Sequence, residues 1–173
     1  VEVYQKSIGF ENVEQGKKAT AKTKYRIGSI SKTFTATIIL QLIEEKKLSL
    51  ETRIEEYFPE LPNASTITVE HMLRHRSGLY NFTSSPAYLE WMEDPKNEEE
   101  LLEVFKENGT VFEPGEKFEY SNTNYVILSF IAEKIENKSF SKIFDERITK
   151  GLQLSDVYYG GKIGSRANEA QSY

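Results

Sequence analysis

The segment YRIGSISKTFTA, residues 25–36, places a serine at the start of a helical pattern and a lysine three residues later. This spacing puts Ser29 and Lys32 on one face of the helix, close enough for the amine to take the hydroxyl proton. The helix N-terminus favours an oxyanion at this position, and a desolvated lysine is a competent general base for a serine nucleophile. The segment therefore predicts nucleophilic catalysis by Ser29, with Lys32 as the group that accepts its proton.

The Ser-x-x-Lys spacing is a weak signal by itself, because roughly one copy arises by chance in a chain of this composition. A second copy runs from Ser139 to Lys142, and helix capping accounts for its serine. The same alternative applies to the first copy, with Ser29 as a capping residue and Lys32 as a solvated cation. The spacing alone leaves both interpretations open.

The composition of the 173 residues is that of a soluble globular protein, with 38% hydrophobic and 28% charged residues. The net charge of −5 argues against a nucleic-acid partner, because proteins that bind nucleic acid usually carry a basic face. The absence of cysteine excludes disulfides, thiol catalysis and cysteine metal sites. No run approaches the roughly 20 apolar residues that span a bilayer, and the first residues lack the pattern of a signal peptide.

Hydrophobic periodicity predicts strands at the start of the chain, over residues 1–10 and again before residue 21, followed mostly by helices. Thr68 is expected to cap the second helix and Gly78 to stop it, whereas Ser121 or Asn122 caps the fourth. The expected helices cover residues 31–47, 69–73, 98–107, 122–136 and 140–150.

Strand-like residues return at 157–159, so the order of elements is strands, helices and strands again. This order predicts an α/β (α+β) fold. Its expected segments are sheet-edge strands with a nucleophile helix in residues 1–50, a helical subdomain in residues 51–154 and the start of a return to the sheet in residues 155–173.

The segment around Ser29 closely resembles the nucleophile segment of the class C β-lactamase and DD-peptidase family, the penicillin-recognising serine hydrolases. Further similarities follow in the same order along nearly the whole chain. They are IGFEN at 8–12, KLSL at 47–50, YFP at 57–59, ITVEHMLRHRSGL at 67–79, FEPG at 112–115 and FEYSN at 118–122. The resemblance implies a β-lactamase-like fold, of which this chain holds the N-terminal and helical portion.

The resemblance also implies a role for each site residue. Ser29 attacks the substrate and its backbone N–H supplies half of an oxyanion hole. Lys32 and Tyr120 manage protons, and Asn122 holds Lys32 and the substrate amide by hydrogen bonds. No cofactor is implied. The alternative for Tyr120 and Asn122 is a core tyrosine and a helix-capping asparagine.

His71 and His75 have the i, i+4 spacing of a helical metal pair. No third ligand cluster is visible, and the segment lacks the glutamate of a zinc-peptidase helix. We therefore predict no metal site, and expect His75 to anchor the turn at Gly78 instead.

Two departures from the family pattern concern the end of the chain. Gln153 replaces a turn glycine, because the sequence reads GLQL where the family usually has Pro-Leu-Gly-Met. The family's third element, a Lys- or His-based triad on a strand beside the nucleophile, has no convincing counterpart in the glycine-rich residues 160–164. We therefore expect an incomplete fragment that is inactive alone and needs the missing C-terminal part of the same enzyme, or a second chain.

The expected function is that of a serine hydrolase which cleaves a small amide or ester through an acyl-enzyme. The substrate would be a β-lactam, a D-amino-acid peptide or a simple ester. The alternatives are a non-catalytic sensor that binds penicillin or peptide, and a helical interaction module with no site. The sequence does not fix the compartment, and the resemblance favours a periplasmic or extracellular location.

Overall fold

The computed structural model describes residues 4–164 and 166–171 of the chain. They fall into two compact units, one formed by Val1–Ser31 with Phe144–Tyr173 and the other by Lys32–Ile143. The three segments predicted from the sequence follow chain order, whereas contacts group the two ends of the chain together. Nearly all of the helix that follows Ser29 belongs to the second, helical unit.

The first unit contains a two-stranded antiparallel sheet of β1 (Phe10–Asn12) and β2 (Lys17–Lys18). In this sheet Phe10 pairs with Lys18, and Asn12 with Lys17. The strand predicted for residues 1–10 therefore begins only at Phe10; residues 4–9 form no strand and residues 1–3 lie outside the described part. β-Prone residues become a strand only where a second backbone pairs with them, and β2 reaches no further than Phe10.

The C-terminal part of the first unit adds a single bridge. Lys24 pairs with Glu169 in parallel, through hydrogen bonds from Lys24 N to Asn168 O (2.7 Å) and from Ala170 N to Lys24 O (2.9 Å). The strand-like residues 157–159 form no ladder within the described residues. The Tyr158 hydroxyl instead donates to Glu169 Oε1 at 2.6 Å, and this hydrogen bond is the main cause that lowers the pKa of Glu169.

Helices dominate the rest of the chain, and each helix predicted from the sequence is present. One turn of helix, α3, was not expected from the sequence, and a π-helical turn, Asp145–Thr149, follows α6 within the region predicted as one helix. The helices are α1 (Ser31–Glu44), α2 (Val69–Leu73), α3 (Tyr88–Trp91), α4 (Glu98–Asn108), α5 (Asn122–Glu136) and α6 (Phe140–Phe144).

The starts of α2 and α4 agree with the sequence because local caps determine them. Thr68 Oγ1 accepts from His71 N at 3.2 Å and His71 Nδ1 accepts from Thr68 N at 3.3 Å, which forms a capping box on α2. The predicted stop at Gly78 is wrong, because α2 ends at Leu73 and the cap after it is Arg74. Gly78 is needed for another reason: its φ is +80°, and a Cβ there would collide with the backbone oxygen of a neighbouring loop.

The core of the helical unit is built from α1, α2, α5 and the chain that connects them. Each fully buried aliphatic or aromatic side chain contributes roughly 1.5–3 kcal/mol, so the apolar face of α5 fixes this helix firmly. The first turn of α5 carries Asn122, whose position is thereby tied to the core. The hydrophobic residues of this unit with at most 1% of their surface exposed are Ile38, Ile39, Leu42, Ile54, Phe58, Ile67, Val69, Met72, Phe105, Ile127, Leu128, Ile131, Ala132 and, in α6, Ile143.

Candidate active site

Ser29 lies on a 3₁₀ turn, Gly28–Ile30, that leads directly into α1. The turn starts with Gly28 at φ +51°, and the N–H of Ser31 donates to the carbonyl oxygens of Gly28 and Ser29. The Ser29 side chain is exposed. Ser29 belongs to the first unit, and Lys32, three residues later, is the first residue of the second unit.

Lys32, Tyr120 and Asn122 come together within the helical unit, although 88 residues of sequence separate the first two. Lys32 Nζ donates to Asn122 Oδ1 at 2.6 Å, and the Tyr120 hydroxyl donates to the same oxygen at 3.3 Å. The ammonium group also lies 4.8 Å from the centre of the Tyr120 ring and 5.7 Å from that of Tyr125. Ring faces attract a cation at such distances, so Lys32 is held by one amide oxygen and two aromatic rings.

Asn122 is fixed by a second pair of residues, on the loop before α3. Its Nδ2 donates to Thr83 Oγ1 at 2.8 Å, and its backbone N–H donates to Asn81 Oδ1 at 2.9 Å. Thr83 Oγ1 in turn donates to Asn81 Oδ1 at 3.1 Å. The side chain of Asn81 therefore caps α5 from 41 residues away.

Ser121, one of the two residues expected to cap α5, occupies the N-cap position but makes no side-chain cap. Its hydroxyl donates to Tyr80 O at 3.3 Å, and Thr123 Oγ1 donates to the same carbonyl at 2.6 Å. Asn122 is the first helical residue, and its side chain points to Lys32 and Thr83 rather than back to the helix end. Sequence reasoning missed Asn81 and Thr83, because a cap from a distant loop leaves no local spacing pattern.

His75 is buried, with 9% of its surface exposed, and its ring stacks on Tyr120 at 4.6 Å between centres. Its Nδ1 accepts a hydrogen bond from Ser121 N at 3.1 Å. Burial lowers the pKa of His75, and the positive charge of Lys32 lowers it further. The expectation that His75 anchors the turn at Gly78 is wrong, because Ser77 does so: its Oγ accepts from Leu79 N at 3.1 Å.

The two histidines do not share a ligand position. His71 Nδ1 is used in the capping box of α2, while His75 Nδ1 faces the segment before α5. In residues 4–164 and 166–171 no group of three or more His, Asp or Glu side chains is arranged to hold a metal ion. In the same residues no helix has both the length and the apolar character that a bilayer span requires.

The geometry of the cluster suits proton transfer. One acceptor atom, Asn122 Oδ1, receives hydrogen bonds from an amine and a phenol, so the two groups able to carry a proton are held within reach of each other. The Tyr120 side chain is 41% exposed and lies open to a ligand.

The family model described as Beta-lactamase matches this chain over residues 1–173.

The chain belongs to the Beta-lactamase family. The resemblance to class C β-lactamases and DD-peptidases is thereby confirmed, as is the α/β class, here mostly helical with a small sheet.

Similar proteins of known structure or name cover most of this chain. Teichoic acid D-alanine hydrolase from Staphylococcus aureus (strain MRSA252) is 27% identical over 168 residues, which are 97% of this chain and 41% of that protein. D-amino acid amidase from Ochrobactrum anthropi SV3, complexed with D-phenylalanine, has 30% identity and a TM-score of 0.85 over 96% of this chain and 46% of its own. The penicillin binding protein from Bacillus halodurans has the same fold, with a TM-score of 0.86 at 24% identity over 95% of this chain and 51% of its own. This chain thus spans about two fifths of the curated relative and about half of each solved chain.

Proposed function

We propose that the gene product containing this chain is a serine hydrolase that cleaves a small amide or ester through an acyl-enzyme. The observation that carries this proposal is the shared hydrogen bonding of Lys32 and Tyr120 to Asn122 Oδ1, at 2.6 and 3.3 Å. Membership of the Beta-lactamase family supports it, because the segment around Ser29 has the Ser-x-x-Lys spacing of such enzymes.

In the proposed reaction Ser29 Oγ attacks the carbonyl carbon of the substrate while its proton passes to the Lys32–Tyr120 pair. The oxyanion formed in this step accepts a hydrogen bond from the Ser29 backbone N–H. The same pair then returns the proton to the leaving amine or alkoxide as its bond to carbon breaks, which leaves an ester on Ser29. Water attacks this ester, its proton follows the same route to Ser29 Oγ, and the acid product departs.

We propose D-amino-acyl amides and esters as the first substrates to try. The proteins that support this choice are named for D-alanine and for D-amino acid amides, at 27% and 30% identity. β-Lactams remain in the proposal as compounds that contain a strained amide. A location outside the cytoplasm fits a teichoic acid substrate, which the name of the curated relative specifies for that protein.

Ser29→Ala, compared with Ser139→Ala, tests the nucleophile. Ser139 is the matched control because it heads the second Ser-x-x-Lys run, where its carbonyl accepts from Lys142 N at 2.9 Å at the start of α6. The gene product is incubated with a reporter penicillin and with a D-alanyl ester, and the adduct is located by peptide mass spectrometry. We expect an adduct on Ser29 that Ser29→Ala abolishes and Ser139→Ala leaves intact.

Each of the other outcomes of this test would lead to a different conclusion. An adduct that survives Ser29→Ala would contradict the proposed nucleophile. A stable adduct on Ser29 without turnover of any ester or amide would identify a non-catalytic sensor. The absence of both adduct and turnover with all probes would identify an interaction module.

The inactivity of the isolated 173 residues stays a prediction. The expected oxyanion hole needs a second donor, and loss of one such donor typically costs about 10²–10³-fold in kcat. Turnover of the D-alanyl ester by the purified 173-residue polypeptide at the rate of the whole gene product would contradict it.

A further inference from the structure

His75 has a backbone conformation that few residues other than glycine adopt. Its φ is +53°, in the left-handed region, and its side chain is 91% excluded from solvent. Non-glycine residues in this region are strained, and they persist where the surrounding structure requires the side chain or backbone to be placed there. His71, only one helical turn earlier, has no such conformation.

Three contacts of His75 involve Tyr120 or the residues on either side of it. The carbonyl oxygen of His75 accepts from Glu119 N at 2.9 Å, and its Nδ1 accepts from Ser121 N at 3.1 Å. These two amides flank Tyr120 in the chain. The imidazole also stacks on the Tyr120 ring, with 29° between the ring planes and 4.6 Å between the centres.

The remaining neighbours of the imidazole pack against it and hold the ring in place. Phe118 meets it edge-on at 6.0 Å, and the Tyr125 ring lies 5.1 Å away. Asn124 Nδ2 lies 3.4 Å from His75 Nδ1, and Asn124 Oδ1 accepts from Ser77 Oγ at 2.5 Å. The ring is thus packed from the segment before α5 and from α5 itself.

We propose that His75 is a positioning residue that holds Tyr120 in hydrogen-bonding range of Asn122 by binding both flanking amides and stacking on the phenol ring. This inference rests on the proposed function, in which Tyr120 transfers protons. A shift of the 119–121 backbone would move the phenol away from Asn122 Oδ1, to which its hydroxyl now donates at 3.3 Å. Small displacements of a reacting group are sufficient to lower turnover strongly.

The contact with Ser121 requires the neutral imidazole, because Nδ1 acts as an acceptor there and a protonated ring has only donors. Protonation would also place a second positive charge near Lys32. Among the described residues, the titratable side chains that face the His75 ring are Lys32 from α1, Tyr120 from the segment before α5 and Tyr125 from α5. Because burial and Lys32 lower the pKa of His75, the acceptor persists to more acidic pH than for an exposed histidine.

Two substitutions test the hydrogen-bond acceptor Nδ1 and the ring stacking separately. In His75→Asn the Oδ1 atom stands where Nδ1 was, and asparagine tolerates a positive φ, but the stack is lost. In His75→Phe the stack remains and the acceptor is lost. His71→Asn is the control, because it lies in the same sequence motif and its Nδ1 also accepts a backbone N–H, that of Thr68.

The variants are assayed in the gene product for kcat and KM with the D-alanyl ester, across pH 4–9, beside Tyr120→Phe. We expect His75→Phe to lower kcat roughly 10- to 100-fold with little change in KM, and His75→Asn to lose less. The acid limb of the kcat profile should lose its His75 component in His75→Asn, whereas His71→Asn should keep wild-type kcat and profile. In the 173-residue chain with ¹³C-tyrosine, the Tyr120 ring signals should shift with pH at the midpoint of the His75 titration.

The outcomes distinguish this inference from the proposed function. Wild-type kcat in Tyr120→Phe would overturn the proton-transfer role of Tyr120. A low kcat in Tyr120→Phe with wild-type kcat in His75→Phe would overturn the inference alone, as would Tyr120 signals that ignore the His75 titration. Equal losses in His75→Phe and His75→Asn would overturn the part assigned to Nδ1. If His75→Phe does not fold, the pH dependence of the Tyr120 signals and the His75→Asn profile decide.

Discussion

Asn81→Ala tests whether the distant cap on α5 supports the candidate site. Asn81 Oδ1 accepts from Asn122 N at 2.9 Å and from Thr83 Oγ1 at 3.1 Å, and its Nδ2 donates to Ser84 Oγ at 2.7 Å. Removal of a capping side chain typically costs about 0.5–2 kcal/mol. The three hydrogen bonds involved put Asn81→Ala in the upper half of this range, at about 1–2 kcal/mol of unfolding free energy.

The same change should reach the chemistry, because the backbone and side chain of Asn122 depend on the loop that Asn81 organises. Without Asn81 Oδ1, Thr83 Oγ1 loses the acceptor that orients it toward Asn122 Nδ2. The amide that holds Lys32 and Tyr120 then has a less defined position. We expect kcat to fall roughly tenfold or more, with a smaller change in KM.

Asn97→Ala is the matched control. Asn97 is also a capping asparagine: its Oδ1 accepts from Glu100 N at 2.9 Å, and Glu100 Oε2 accepts from Asn97 N at 2.8 Å. Its loss should destabilise the protein by a similar amount, about 0.5–2 kcal/mol, while α4 carries none of the proposed site residues. Urea unfolding of the 173-residue chain measures the stability of both variants, and ester turnover by the gene product measures kcat. Equal losses of kcat in the two variants, or an unchanged stability of Asn81→Ala, would refute the reasoning.

Three further predictions concern single positions. Lys32→Ala and Tyr120→Phe should each lower kcat about 10²–10⁴-fold, as loss of proton transfer does, with KM changed less; near-normal kcat in Tyr120→Phe would return that residue to a packing role. Gly78→Ala should cost about 2–4 kcal/mol in urea unfolding, because it combines a positive φ with overpacking against a backbone carbonyl, whereas Gly109→Ala, at φ +67° in open space, should cost less. The depressed pKa of His75 means that the unfolded chain binds this proton first as pH falls, so its contribution to stability is present above the ordinary value of 6.5 and declines below it; the loss of unfolding free energy between pH 7 and pH 5 should be smaller in His75→Asn than in the wild type.

The helices could be predicted from the sequence because their signals are local. Thr68 and His71 lie within four residues of each other and form a capping box, and the ends of α4 and α5 fall within one residue of expectation. The strand expected over residues 1–10 depended on a partner backbone, which periodicity does not reveal. Its described part pairs only from Phe10 onward.

The site shows the same division between local and distant causes. The Ser29–Lys32 spacing is visible in the sequence, and the resemblance named Tyr120 and Asn122, which the structure places on Lys32. The residues that hold Asn122 and Tyr120 were missed or given another role. A hydrogen bond between residues more than 40 positions apart depends on the packed fold. No sequence motif therefore predicted the role of Asn81 or the hydrogen bond between His75 and Ser121.

The hydrogen bonds of Asn122 use both ends of a neutral amide. Its oxygen accepts from Lys32 and Tyr120, its Nδ2 donates to Thr83, and its backbone N–H is taken by Asn81. A lysine ammonium can only donate, so the side facing Lys32 must be the oxygen and the side facing Thr83 the NH₂ group. An aspartate at this position would stabilise the ammonium form of Lys32, because a carboxylate attracts the positive charge. It would thereby oppose the proton transfers proposed for Lys32. The asparagine instead orients the amine and the phenol without adding a charge that would fix the proton on either.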